Sequence, residues 1–276
     1  MKSKIFVLAS FLVLFFGVAA SGEEQILTVD EIVRKANHMA LYQGMDCKGK
    51  VNITITDKHG RIRLREFNIL RKNVDNRDGN QKYFAYFLDP ADVRKMVFMV
   101  HKHSNSEEED DRWLYMPSLD LIKRIASGDK RTSFVGSDFL YEDISGRNVN
   151  EDIHQLIKTT DDYYVVKNVP KKPDSAEFEY YIAYIDKEYF LPGKLEYFKE
   201  DGRLYREIVS HKVEMVESEK NGKSITYPTI TETVARDIES ENSSVMTYSK
   251  VQYNTGVEDD IFTERYLRRP PRIVLR

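Results

Sequence analysis

The sequence is short of the features that most often identify a protein. One cysteine, Cys47, stands in 276 residues, so no internal disulfide can staple the chain. It reads as a small buried or half-buried apolar side chain rather than a reactive thiol. There is no basic surplus: 42 Lys and Arg against 45 Asp and Glu give a formal charge of −3. That excludes a general nucleic-acid binder, because phosphate binding needs excess positive charge. The apolar run Ile5–Phe16, broken only by Ser10, falls short of the roughly 20 residues of a membrane-spanning helix. Phosphate-cradling loops, dinucleotide fingerprints, internal repeats and low-complexity linkers are all missing.

What is there begins with the flanks of that apolar run. Lys2 and Lys4 precede it and the mostly small residues Gly17–Gly22 follow it. This is the pattern of a secretory signal cleaved after Ala20 or Ser21. Residues 1–21 are therefore expected to be a removed signal peptide, and 22–276 one exported domain. No cysteine closely follows the run, so a lipid-anchored form is not indicated. Removal takes away two lysines and no acid, leaving 40 basic against 45 acidic residues and a charge of −5. The expected location is the periplasm.

Val29, Ile32, Val33, Ala36, Met39 and Ala40 form one stripe at helical spacing, and Thr28 with Glu31 has the form of a capping box. A helix over Thr28–Tyr42 follows, either as a plug on a sheet or as a lid over a cavity. From Cys47 onward the period changes to two. Val51, Ile53 and Ile55, then Ile62 and Leu64, flank the turn signal Asp57–Gly60. Strand-like runs continue at Lys82–Leu88, Lys95–His103, Arg112–Met116 and Leu121–Ala126. After a helix-like patch at Ser137–Ile144 they resume from Tyr163 to Tyr253. No βαβ rhythm interrupts them. The expected fold is mainly β: one curved antiparallel sheet of about eleven strands, forming an incomplete β-barrel with helices covering its concave face.

No residue set for bond-breaking chemistry stands out, so no catalytic residue is assigned. Ser137, in Val-Gly-Ser-Asp-Phe, lacks the G-x-S-x-G elbow and reads as the N-cap of a short helix. His101 and His103 share a strand face, and Glu107–Asp111 follow them. Acidic runs of this kind are usually solvated turns, so no metal and no cofactor are expected. Asn52-Ile-Thr and Asn242-Ser-Ser match the glycosylation acceptor, a frequent chance match.

The apolar load is unusual. Met96–Val100 is apolar on both strand faces, so the strand is buried on both sides or faces core on one and ligand on the other. Periodicity alone favours a packed core. The stretches "FLDPADVR" (Phe87–Arg94), "WLYMPSLDLIKRI" (Trp113–Ile125), "FVGSDFLYEDI" (Phe134–Ile144), "YIDKEYFLPGKLEYFKEDGRL" (Tyr184–Leu204) and "VQYNTGVEDDIFTERYL" (Val251–Leu267) shift that balance. Through them the chain resembles exported bacterial outer membrane lipoprotein-sorting proteins with a LolA-like domain. Lys95 departs from the family pattern, which commonly has a small residue such as glycine there.

The resemblance implies a periplasmic carrier that shelters acyl chains of a lipid or lipoprotein for transfer toward the outer membrane. Implied partners are an inner-membrane transporter and an outer-membrane acceptor, with the chain itself a monomer. The expected lipid-binding residues are Met96, Phe98, Val100, Trp113, Tyr115, Phe134, Phe139 and Leu140, with Gly136 and Gly146 flanking a movable cap. The rivals are an adaptor that binds a protein partner with its cavity shut and, more remotely, a hydrolase.

Overall fold

Alternating burial dictates the architecture. The computed structural model describes residues 27–75, 78–220 and 222–275; the expected signal segment lies outside them. The first half forms β1 (Asp46–Thr56), β2 (Ile62–Asn73), β3 (Gln81–Asp89), β4 (Val97–Lys102), β5 (Asp111–Met116) and β6 (Leu121–Ile125). The second forms β7 (Asp152–Thr159), β8 (Tyr163–Pro170), β9 (Tyr180–Asp186), β10 (Pro192–Phe198), β11 (Leu204–Lys220), β12 (Lys223–Asp237) and β13 (Asn242–Tyr253). Within each half the strands pair antiparallel with their chain neighbours, and β1 pairs with β13 to join the two meanders (Val51 opposite Tyr248, Ile53 opposite Met246). The result is one thirteen-stranded antiparallel sheet with β6 and β7 at its edges, not closed into a barrel.

The strand that sequence patterning misses is β7. It is an edge strand whose Ile153, Leu156 and Ile157 are exposed, so it carries no period-two burial signal. The expected hairpin at Asp57–Gly60 is present, closed by Gly60 N–H donating to the Asp57 carbonyl at 2.8 Å.

Two pieces cover one face of the sheet, called here the inner face. The first is α1 (Val29–Asn37), continued by a π-helical turn over His38–Tyr42. Its capping box is formed as expected: Glu31 N–H donates to Thr28 Oγ1 at 3.3 Å and Thr28 N–H to Glu31 Oε2 at 2.8 Å. Ile32, Val33 and Ala36 pack on Val166, Ala183 and Ile185 of β8 and β9. The carbonyls at the far end of the helix need partners, and the other meander supplies them. Gln81 Nε2 donates to Leu41 O at 2.8 Å, Asn73 Nδ2 to Tyr42 O at 3.1 Å, and the Arg71 guanidinium to Leu41 O and Gln43 O. The helix therefore bridges the two halves.

The second piece is the crossover from β6 to β7, residues 126–151, which contains α2 (Tyr141–Ser145). Phe134, Phe139 and Tyr141 from this segment pack with Phe67, Phe87 and Phe98 of the sheet; Phe98 and Phe134 meet edge to face at 5.4 Å. The outer face of β2–β5 is covered by the C-terminal segment. Val257, Ile261, Phe262, Leu267 of α3 (Glu264–Arg268) and Val274 lie on Leu70, Phe84, Val97 and Met99. Asp46 pins the start of this segment by accepting from the backbone N–H groups of Thr255 at 2.6 Å and Gly256 at 3.0 Å. Met96–Val100 is thus apolar throughout because protein covers both of its faces.

Candidate functional site

Where α1 and the crossover do not meet, a cavity of about 280 Å³ remains between them and β8–β13. Its apolar wall comes from Val33, Ala36, Ala40 and Leu41 of the helix, Phe139, Leu140 and Ile144 of the crossover, and Ala183, Ile185, Leu195, Ile208, Ile230 and Met246 of the sheet. Small residues at Ala36 and Ala183 hold the helix close to the sheet yet leave space beside the contact.

One end of the cavity is aromatic and charged. Tyr181 and Tyr197 stack and Phe178 meets both edge to face, with ring centres 5.3 to 5.7 Å apart. The Arg206 guanidinium lies 5.1 Å from the Tyr197 ring and that of Arg147 5.4 Å from Phe178. Arg206 pairs with Asp143, Arg131 Nε donates to Glu177 Oε2 at 2.6 Å, and Arg147 Nη2 donates to Asp152 Oδ1 at 2.8 Å. Burial pushes the Asp143 carboxyl above its ordinary range despite the pull of Arg206. Burial also acts to raise Glu142, but Arg147, Lys130, Arg131 and Arg112 outweigh it and hold that carboxyl below its usual range. Behind this end Lys102, 3% exposed, donates to the Ser145 carbonyl at 2.8 Å; burial lowers its ammonium to about 8.

The residues expected from sequence are divided among three places. Phe139 and Leu140 line the cavity. Phe98, Val100 and Phe134 are on the inner face but fully buried, with Met96 half-buried beside them, in a filled aromatic cluster next to the cavity. Trp113 and Tyr115 point the other way. They sit opposite Met99 and Val97 in the register and pack under the C-terminal segment on the outer face. An apolar strand pattern cannot tell which stretch of a covered face is filled.

Ser137 is not a helix cap. Its Oγ donates to the Phe134 carbonyl at 2.7 Å and accepts from Phe139 N–H at 3.3 Å, which shapes the turn; Asp143 instead reaches back to Leu140 N–H at 2.6 Å to close the start of α2. His101 is spent on Phe262 O at 2.8 Å and on the edge of Trp113. Among the described residues no group of three His, Cys, Asp or Glu is arranged to hold a metal, and no helix is long and apolar enough to cross a membrane. Cys47 is half-buried and burial pushes its thiol up to about 11.

Sequence reasoning passed over Arg147, Arg206 and the Phe178–Tyr205 aromatics. Arg206 gives no clear signal in the sequence, because it stands beside Glu207 in a strand that also carries Lys212, Glu214, Glu217 and Glu219.

An open antiparallel sheet, bridged by an N-terminal helix and crossed by a capping segment over an apolar cavity, is the LolA-like architecture. A family described as uncharacterized proteins matches residues 79–269, well over half the chain, and the chain belongs to that family. Its fold is shared with a DUF1329 family protein from Desulfovibrio piger, at TM-score 0.75 and 23% identity over 87% of this chain and 97% of that one. A putative outer membrane lipoprotein-sorting protein domain from Vibrio parahaemolyticus is similar, at TM-score 0.74 and 22% identity over 87% and 97%. A LolA superfamily protein from Nitrosomonas europaea follows, at 0.64 and 21% over 87% and 100%. No curated protein matches the chain.

Proposed function

We propose that the protein is a periplasmic carrier that holds an acyl chain of a lipid or lipoprotein in the cavity between α1 and the sheet, working as a monomer between an inner-membrane donor and an outer-membrane acceptor. The observation that carries this reading is the apolar space itself, left inside an otherwise well-packed fold. Each methylene exposed to water costs about 0.8 kcal/mol, so an acyl chain of ten leaving a bilayer needs about 8 kcal/mol of shelter. A wall of Val, Ile, Leu, Ala, Phe and Met supplies that shelter without directional bonds, which suits cargo lacking polar groups along its chain. The likeness of fold to lipoprotein-sorting proteins supports the reading. Opening would fall to residues 136–146, bounded by Gly136 and Gly146, both at positive φ (82° and 75°). The reading assigns no bond-breaking step to the protein.

An environment-sensitive apolar fluorophore tests it. The purified chain should bind the dye and release it to a lipid extract, and Ile208→Trp, which fills the space, should weaken binding at least tenfold with an unchanged circular dichroism spectrum. Equal binding by both proteins would overturn the carrier reading.

A further inference from the structure

The cavity's leftover hydrogen-bonding capacity is one-sided. Among the described residues, the buried side-chain polar atoms of its lining that lack a hydrogen-bond partner are all guanidinium N–H donors: Arg131 Nη1, Arg147 Nη1 and Arg206 Nε. Arg147 Nη1 lies in an ion pair with Glu151 Oε2 at 2.8 Å; Arg131 and Arg206 are paired through other atoms, Nε with Glu177 and Nη2 with Asp143. Arg206 is 5% exposed. The acids at the same end are already engaged: Glu177 with Arg131, Asp143 with Arg206 and Leu140 N–H, Glu142 with Lys130 at 3.4 Å. Buried donors without acceptors are costly and are normally satisfied. The missing partner is therefore an acceptor, not a cation.

The pocket has one arginine-bearing end and an apolar wall running from it, an arrangement that suits one polar head with one chain behind it.

We infer that Arg131 and Arg206 form a headgroup site for an amphiphile with one acyl chain and an oxygen acceptor, carboxylate or acyl ester, at its head. This deepens the carrier reading and rests on it. The chain lies along the wall of Val33, Leu41 and Ile208, and the head oxygen accepts from the two guanidinium groups, of which that of Arg206 lies against the Tyr197 ring.

Calorimetry on the delipidated protein, below micelle concentrations, decides it with dodecanoate, monododecanoyl glycerol and dodecyltrimethylammonium. One or both oxygen-headed ligands should bind at least tenfold tighter than the ammonium. Preference for dodecanoate alone marks a free fatty acid, and binding of the glyceride marks an acyl ester. Arg131→Gln should remove most of that preference and leave ammonium binding unchanged; its partner Glu177 is partly exposed, so the fold survives. The pair Arg206→Gln with Asp143→Asn, which strands no buried charge, should do the same. If all three ligands bind equally, or the variants keep the preference, the headgroup site is wrong while the carrier reading stands. If none binds, the carrier reading fails and the inference with it.

Discussion

A side-chain carbon at Gly146 would overlap Leu41 Cδ1, so the end of α2 and the π-helical turn after α1 meet at the cavity rim with no room for a side chain at 146 unless Leu41 shifts. Its backbone, at φ 75° and ψ 148°, lies in a region that side chains avoid. Gly146→Ala should therefore lower stability by about 1–3 kcal/mol from the backbone alone, with the overlap adding to it. Urea unfolding of Gly146→Ala beside Gly146→Ala/Leu41→Ala separates the two, since the second change relieves only the overlap. An unshifted midpoint for the single variant would refute this.

Lys95 is the mirror case. It is exposed and sits at φ 68° in the turn between β3 and β4, a left-handed conformation that glycine adopts without strain. The small residue such as glycine that the resemblance leads one to expect here would sit without strain, and this chain bears the strain of lysine instead. Lys95→Gly should raise stability by up to about 1 kcal/mol, because relief of left-handed strain exceeds the added freedom of the unfolded chain. Thermal unfolding checks it, and a fall in Tm would contradict it.

Lys102 predicts a pH dependence. Its folded value of about 8 lies below the ordinary 10.5 because burial disfavours the charged ammonium. Between these values the unfolded chain binds the proton more than the folded one does, so stability rises with pH across that window from this group. Below pH 8 the cost of burying the charge is present in full. Lys102→Met should lack this rise, so the stability difference between variant and parent should change by about 1–3 kcal/mol between pH 8 and 10. Tyrosine ionisation acts on both proteins and cancels in the difference. A difference flat with pH would show that Lys102 is not buried as a charge.

The sheet and its helix were legible because their signals are local. The capping box of Thr28 and Glu31, the alternation of Val51, Ile53 and Ile55, and the turn at Asp57–Gly60 each need only a few neighbouring residues. The cavity depends on what covers each stretch of the inner face, and no local pattern encodes that. Phe98 and Trp113 show the difficulty: both are large aromatics on adjacent strands, yet Leu114 is the residue opposite Phe98, so Trp113 points to the far face. Arg206 reads on sequence as one of many charged residues in its strand, and only in space is it seen to be buried at the charged end.

Phe98 accordingly belongs to packing. Fully buried between Phe134 and Tyr141, with ring centres 5.4 and 5.2 Å away, it should cost about 3–5 kcal/mol when changed to Ala. Leu140→Ala, at the half-buried cavity wall, should cost much less and act on ligand affinity. Chemical denaturation of the two variants checks the contrast; similar losses would place Leu140 in the core as well.

Native mass spectrometry of the protein extracted gently from its own host tests the central claim most directly. The account predicts adducts of one single-chain lipid per protein, released on denaturation and absent from Ile208→Trp prepared in the same way. Bare protein in both preparations, or the same adducts on both, would contradict an acyl-chain cavity between α1 and the sheet.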